Sequence, residues 1–182
     1  GGHALLMSAT LGSGQRAAWL RQEGSSRETA ASVSYPAIWH DSAPSTPLRP
    51  DHGGREKIVH PTIVPTMDAA EASRRAVDAA ARGGRVLIIR NTVKVAIETW
   101  REVVASRSDL CLTLNGQPAL HHSRFAAEDR RALDAAVEGA LGSNGTDNGV
   151  IVIGTQTLEQ SLDIDADVLI TDLCPIDVLL QR

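Results

Sequence analysis

Aromatic side chains are almost missing from this sequence, with one Phe, one Tyr and three Trp among 182 residues. The interior must therefore be built of Ala, Val, Leu and Ile. Cysteine is nearly absent too: Cys111 and Cys174 stand far apart, which predicts two reduced, buried strand residues of a cytoplasmic protein rather than a disulfide framework. There is no surplus of positive charge. The net charge of −4 offers no global attraction for nucleic acid, so a local basic patch would have to supply it. No apolar run approaches the roughly 20 residues of a membrane span, the N-terminus is not a signal peptide, and no internal repeat is found. What is present is a hydrophobic content of 42% and a charged content of 22%, as in a soluble globular protein. The length suits one ordinary domain with some excess. The opening Gly1-Gly-His3 and the closing charged Arg182 suggest a piece of a longer protein.

The local patterns alternate between strands and helices. Ala4-Leu-Leu-Met7 predicts a buried strand closed by Ser8-Ala-Thr10, and a helix is expected from Gly14 to Gln22. Residues Glu23 to Ser32 are flexible by composition. Ser34 to Trp39 can form only an edge strand because of Pro36. Pro, Ser, Gly and Asp make Asp41 to Gly54 an exposed loop, and Arg55 to Val64 alternates as a strand would. Asp68 caps a helix to Ala81 that Gly83-Gly84 ends. Arg85 to Arg90 is the next strand, and Asn91-Thr92 opens a helix to about Ser106. Cys111 to Leu114 followed by Asn115-Gly116 is a hairpin signature, with Ala119 to Ser123 as the return. Ala126 to Leu141 has helical spacing and Gly142 as its stop. Val150 to Ile153 and Val168 to Ile170 are short apolar runs of the kind buried on both faces. This alternation predicts an α/β fold, a mostly parallel sheet with helices on both faces.

The polar groups that follow these strands are the candidate site, because open α/β sheets bind ligands beyond the carboxyl ends of their strands. Asn91-Thr92 is ordinary capping chemistry or a phosphate-facing helix start. Arg124 can clamp a phosphate with two donors and Asp129 can orient it, or the two form a surface ion pair. Gly154-Thr155-Gln156 ends the strand at Ile153. Asp163, Asp165 and Asp167 lack the Gly and distal Glu of a calcium loop, so no metal is assigned to them. His40-Asp41 has no partner histidines at useful spacing and reads as a loop pair.

In order along the chain, Ser8-Ala-Thr10, Leu87-Ile-Ile-Arg-Asn-Thr92, Leu120-His-His-Ser-Arg-Phe125 with Asp129-Arg130, Gly154-Thr-Gln-Thr-Leu-Glu-Gln-Ser-Leu-Asp-Ile-Asp165 and Gln181-Arg182 resemble the third to sixth motifs of superfamily 2 helicases. The long stretch from Thr155 through Thr171-Asp-Leu-Cys-Pro-Ile-Asp-Val-Leu-Leu-Gln-Arg182 is similar to the signature helicase–nuclease of type I CRISPR systems. The resemblance is strong from Arg85 onward, fair over Leu5–Leu11 and absent between Trp39 and Gly54.

That resemblance implies two RecA-like domains that grip ATP in their cleft and single-stranded DNA across their top. Residues 1–30 would be the end of the first and a connecting helix, and 31–182 most of the second. Ser8 and Thr10 would couple the nucleotide site to strand movement. Asn91, Thr92, Arg124, Thr155 and Gln156 would touch the DNA backbone. Asp163 and Asp165 would face the nucleotide, while Gln181 and Arg182 open the sixth motif and Arg182 reaches the γ-phosphate. ATP and magnesium would be held mainly by the first domain, and a CRISPR surveillance complex is the implied partner in antiviral defence. The departures are plain. There is no Gly-x-x-x-x-Gly-Lys-Ser/Thr phosphate loop, no Asp-Glu-x-His for magnesium, no histidine–aspartate nuclease domain, and the sixth motif stops at Arg182. Gly154 stands where many relatives carry Ala, a change expected to leave the strand end undisturbed. Two other readings keep the residues but not the system: a different superfamily 2 DNA translocase, and a RecA-like nucleic-acid-binding module without hydrolysis.

Overall fold

Asp68 does what its position predicts. Its side chain accepts the Glu71 N–H at 2.8 Å and starts helix α2, Ala69–Ala80, as α1 is the earlier Ser13–Trp19. In this computed structural model the residues described are 5–7, 11–21, 32–33, 36–41, 45–48, 58–142, 145, 148–159, 164–179 and 182. They fall into two compact units, Gly1–Thr62 and Ile63–Arg182. The boundary expected at residue 30 falls within the first.

In the first unit, α1 is followed by an antiparallel pair, β1 (Ala37–Ile38) and β2 (Thr46–Pro47). The Arg16 guanidinium lies 4.0 Å from the centre of the Trp39 ring. Pro36 precedes β1, so this two-stranded pair fits the edge strand expected there, whereas β2 falls in a stretch expected to be loop throughout. Leu5–Met7, expected as a buried strand, is exposed and joins no ladder among the described residues. Residues 58–64 are likewise not a strand, and Ile58, Val59 and Ile63 are exposed. An apolar run becomes a buried strand only where a neighbour supplies ladder partners, and neither run has one here.

The second unit is built on a parallel sheet. Strand β3 (Arg85–Ile89) is central, with β6 (Val150–Gly154) on one side and β7 (Val168–Thr171) on the other. The order of elements between β3 and β6 is α3 (Val93–Arg107), a 3-10 turn Ser108–Leu110, the hairpin strands β4 (Thr113–Leu114) and β5 (Gln117–Pro118), and α4 (Ala127–Leu141). After β6 come a 3-10 turn, Gln156–Glu159, then β7 and a short helix α5, Ile176–Leu179. Asn115 and Gly116 both take positive φ, 53° and 75°, the turn that matches strand twist in a two-residue hairpin. The return strand is only Gln117–Pro118. Ala119 onward departs from the hairpin, so that His121 runs parallel to β6 at Gly154, as Cys111 does at Ile151. The outer edge of β6 is thereby covered.

Helices cover both faces. On one, α2 and α3 bring Ala72, Ala76, Ala80, Ala96 and Val103 onto Val86, Ile88, Ile151, Ile153 and Ile170. On the other, α4 brings Leu133, Val137 and Leu141 onto Leu87, Ile89 and Val152. Alternate residues of one strand feed opposite layers, as a two-faced sheet requires. The core is aliphatic, as the scarcity of aromatics demanded. Gly149 sits against the Ala80 carbonyl in the place where a Cβ would be, so the chain can enter β6 only without a side chain there. Both cysteines are free. Cys111 is buried beside β6, and burial pushes its thiol up to about 11. Cys174 is only partly buried and lies beyond β7, outside a strand. No described helix is long and apolar enough to cross a membrane.

Candidate nucleotide and nucleic-acid interface

Parallel strands end on one side, and here the polar residues after β3, β6 and β7 meet there. Arg90, at the end of β3, is 3% exposed. Its Nε donates to Asp172 Oδ2 at 3.2 Å, its Nη2 lies 3.1 Å from Asp172 Oδ1, and the same Nη2 donates to the Met67 carbonyl at 2.7 Å. Asp172 also accepts the Asn91 backbone N–H at 2.8 Å. One carboxylate therefore ties the end of β7 to the end of β3. Across β6, the Gln156 amide donates to the Asn91 carbonyl at 2.9 Å.

Arg182 comes back onto this edge. Its Nε donates to Glu159 Oε1 at 2.7 Å, Nη1 to Thr171 Oγ1 and to the Asp172 carbonyl at 3.1 Å, and Nη2 to Asn91 Oδ1 at 3.1 Å. The Arg182 side chain is 1% exposed and Glu159 10%. A guanidinium in so dry a place holds its charge because every nitrogen has an acceptor.

Further along the edge, His121 is enclosed, and its ring bridges Asp134 Oδ1 at 2.6 Å and Thr157 Oγ1 at 2.8 Å. His122 stacks on Phe125 with ring centres 4.4 Å apart and accepts the Arg124 N–H at 3.3 Å. Burial lowers the pKa of His122 below the usual imidazole value, and the nearby Arg124 charge acts in the same direction.

The expected site residues divide accordingly. Asn91, Thr92, Arg124 and Gln156 are exposed. Thr92 also acts as the α3 cap, accepting the Val95 N–H at 3.3 Å. Thr155 is only 3% exposed, its backbone N–H given to the His121 carbonyl at 3.2 Å. Arg124 and Asp129 are both exposed, and no ion pair joins them. Asp165 is not brought to the cluster. Its N–H bonds the Leu141 carbonyl at 2.7 Å, and Asp167 bonds Arg85, so this acidic stretch lies at the amino ends of the strands. The cause is topological: a chain that must enter β7 parallel to β6 has to return to the opposite edge first. Ser8, Thr10, Asp163 and Gln181 lie outside the described residues. Gly154 is less neutral than its sequence context suggests. A Cβ there would lie 2.6 Å from the His121 carbonyl oxygen, so alanine requires the backbone to shift. Asp172, Glu159, Asp134 and Thr157 were not picked out from the sequence. Their partners lie 13 to 82 residues away, and only the fold brings them together.

Residues 82–182 match the family described as CRISPR-associated nuclease/helicase Cas3, C-terminal. The chain belongs to that family. Among curated relatives, a CRISPR-associated endonuclease/helicase Cas3 of Escherichia coli is 39% identical over 112 residues, and a Cas3 nuclease/helicase of Streptococcus thermophilus is 42% identical over 101. These matches cover 59% and 55% of this chain but only 12% and 10% of the relatives' lengths. Of the solved structures, T. fusca Cas3 with ATP superposes with a TM-score of 0.62 at 25% identity, over 82% of this chain and 19% of that one. A structure titled as a CRISPR RNA-guided surveillance complex in a pre-nicking state gives 0.66 at 24% identity, over 96% and 23%, a likeness of fold. The fold is therefore the RecA-like sheet of these Cas3 helicase segments, flanked by helices on both faces.

Proposed function

We propose that this chain is a motor segment of an ATP-dependent DNA helicase that translocates on and unwinds target DNA during type I CRISPR interference. The observation that carries the reading is the contact between Arg182 and Asn91, which joins a guanidinium suited to phosphate with an exposed amide suited to a DNA backbone. Residues 1–30 would close the first RecA-like domain and 31–182 form most of the second, with Ser8 and Thr10 coupling the two. Single-stranded DNA would lie over Asn91, Thr92, Arg124 and Gln156, with Thr155 beneath. Asp163 would serve the nucleotide from this chain, Gln181 and Arg182 its terminal phosphate. The surveillance complex would deliver the DNA, in the cytoplasm.

The chemistry is phosphoryl transfer from ATP to water, which proteins promote by positioning and by neutralising charge on the transferring group. Arg182 suits the second task. It cannot lose its proton, and its fork matches two phosphate oxygens. All three of its nitrogens have partners here, so it must exchange Asn91 and Thr171 for phosphate oxygens as the nucleotide site closes. Among the described residues no group of three His, Cys, Asp or Glu side chains could hold a metal, and magnesium would be held with ATP mainly by the first domain. The test uses the full-length parent. ATPase turnover should rise on adding single-stranded DNA, and duplex unwinding should require hydrolysable ATP. A parent that binds DNA but hydrolyses no ATP would make this a non-catalytic module. Hydrolysis without any response to DNA would remove the helicase assignment.

A further inference from the structure

One residue grips the end of β6 three times. The His121 backbone N–H donates to the Ile153 carbonyl at 3.0 Å, and its own carbonyl accepts the Thr155 N–H at 3.2 Å. Its ring then reaches past the strand to Thr157, in the turn that follows. The ring is 1% exposed, so water cannot replace either of its side-chain partners. The Asp134 carboxylate can only accept. The 2.6 Å contact therefore fixes a proton on Nε2 and leaves Nδ1 to bond the Thr157 hydroxyl. The hydroxyl is thus held in one orientation by a chain that begins on α4.

The Gln156–Glu159 turn that this chain holds carries two other contacts of the edge. Gln156 reaches the Asn91 backbone, and Glu159 holds Arg182. A rigid turn with Gln156 at one end and Glu159 at the other relates the position of a strand contact to that of the arginine. Resting on the functional reading above, we propose that His121, anchored by Asp134, is a positioning residue that locks this turn through Thr157 and so makes ATP turnover respond to bound DNA.

Thr157→Val keeps the shape of the side chain and removes the hydroxyl, whereas Thr157→Ser keeps the hydroxyl. In the full-length parent, Thr157→Val should lower DNA-stimulated kcat by about tenfold to a hundredfold, the loss expected when reacting groups are misplaced by about an ångström. Turnover without DNA and the KM for ATP should stay within about twofold, and the melting temperature should move little. Thr157→Ser should restore stimulation. Asp134→Ala should reproduce the Val phenotype, and the double variant should be no worse than either single one, as members of one chain behave. Losses that multiply in the double variant, or a Ser variant as impaired as Val, would overturn the inference. So would a Thr157→Val enzyme that DNA still stimulates fully. A parent without DNA-stimulated turnover would overturn the functional reading and this inference with it, which separates the two failures.

Discussion

At Arg182, three guanidinium nitrogens are shared among four acceptors on Glu159, Thr171, Asp172 and Asn91. Lysine could keep the charge but could not reach all four with one ammonium. We expect Arg182→Lys in the full-length enzyme to be nearly as damaging to turnover as Arg182→Ala, with losses of about a thousandfold, as for arginines that meet a transferring phosphoryl group. DNA binding in the absence of nucleotide should survive both, and ATPase assays beside DNA titrations measure the split. Turnover within a few-fold of the parent would leave Arg182 a structural residue. Asp172 is a different case. Its removal leaves the buried Arg90 without the carboxylate that balances it, so Asp172→Ala should cost about 3–5 kcal/mol in a denaturant titration. His122 sets a third expectation. Its folded pKa lies below the unfolded value, so between those two values the unfolded chain binds more protons. Its contribution to stability is complete above about pH 6.5 and is lost as pH falls toward the folded pKa. Unfolding measured from pH 7.5 to 5 should show this slope in the parent sequence, and His122→Gln should flatten it.

Among the elements, the capped and periodic ones could be read directly. Asp68 and Thr92 stand where α2 and α3 begin, Gly83 takes a φ of 91° just past α2, and Asn115-Gly116 makes the turn its composition demands. Asp68→Ala should cost about 1 kcal/mol, the usual value of an N-cap, and thermal unfolding would report it. The strands β3 and β6 were equally legible because both their faces are covered, which leaves an unbroken apolar run in the sequence, and β7 carries a similar run although Leu169 is exposed. Leu5–Met7 and residues 58–64 carry similar runs without becoming strands, since sequence pattern records what a strand would bury and not whether a neighbour is at hand. The site was half legible for the same reason. Asn91, Thr92 and Gln156 follow strands and could be placed at an edge from their own neighbours in sequence. Asp172 and Glu159 are recognised only by what they hold. Asp165 reads well as part of a motif, yet the return of the chain to begin β7 carries it to the other end of the sheet.

For the molecule as a whole, charge and composition set what this chain can do unaided. It has the arginine and the strand-facing amides but no phosphate loop and no magnesium carboxylate pair, so the purified chain should hydrolyse no ATP. A steady rate that persists through repeated purification and disappears in Arg182→Ala would contradict this. Its binding to mixed single strands should be weak, indifferent to base sequence and steeply weakened by salt, because backbone contacts carry no base readout and counterion release drives them. A strong sequence preference, or no response to salt, would remove the backbone-contact assignment.

The central position of β3 has a consequence for how this protein is made. Of the three parallel strands, the central one is synthesised first, and the residues that tie its ends to β7 lie 82 positions later. Until β6 arrives, Val86 to Ile89 has no ladder on either side, and contacts of such long range form slowly because the intervening loop must close first. A ribosome adding about 5–20 residues per second leaves this apolar strand unpaired for several seconds, with only helices able to shield its faces. The interval when this protein is most exposed to aggregation therefore lies within its synthesis, and slowing translation between Arg90 and Gly149 should lengthen it.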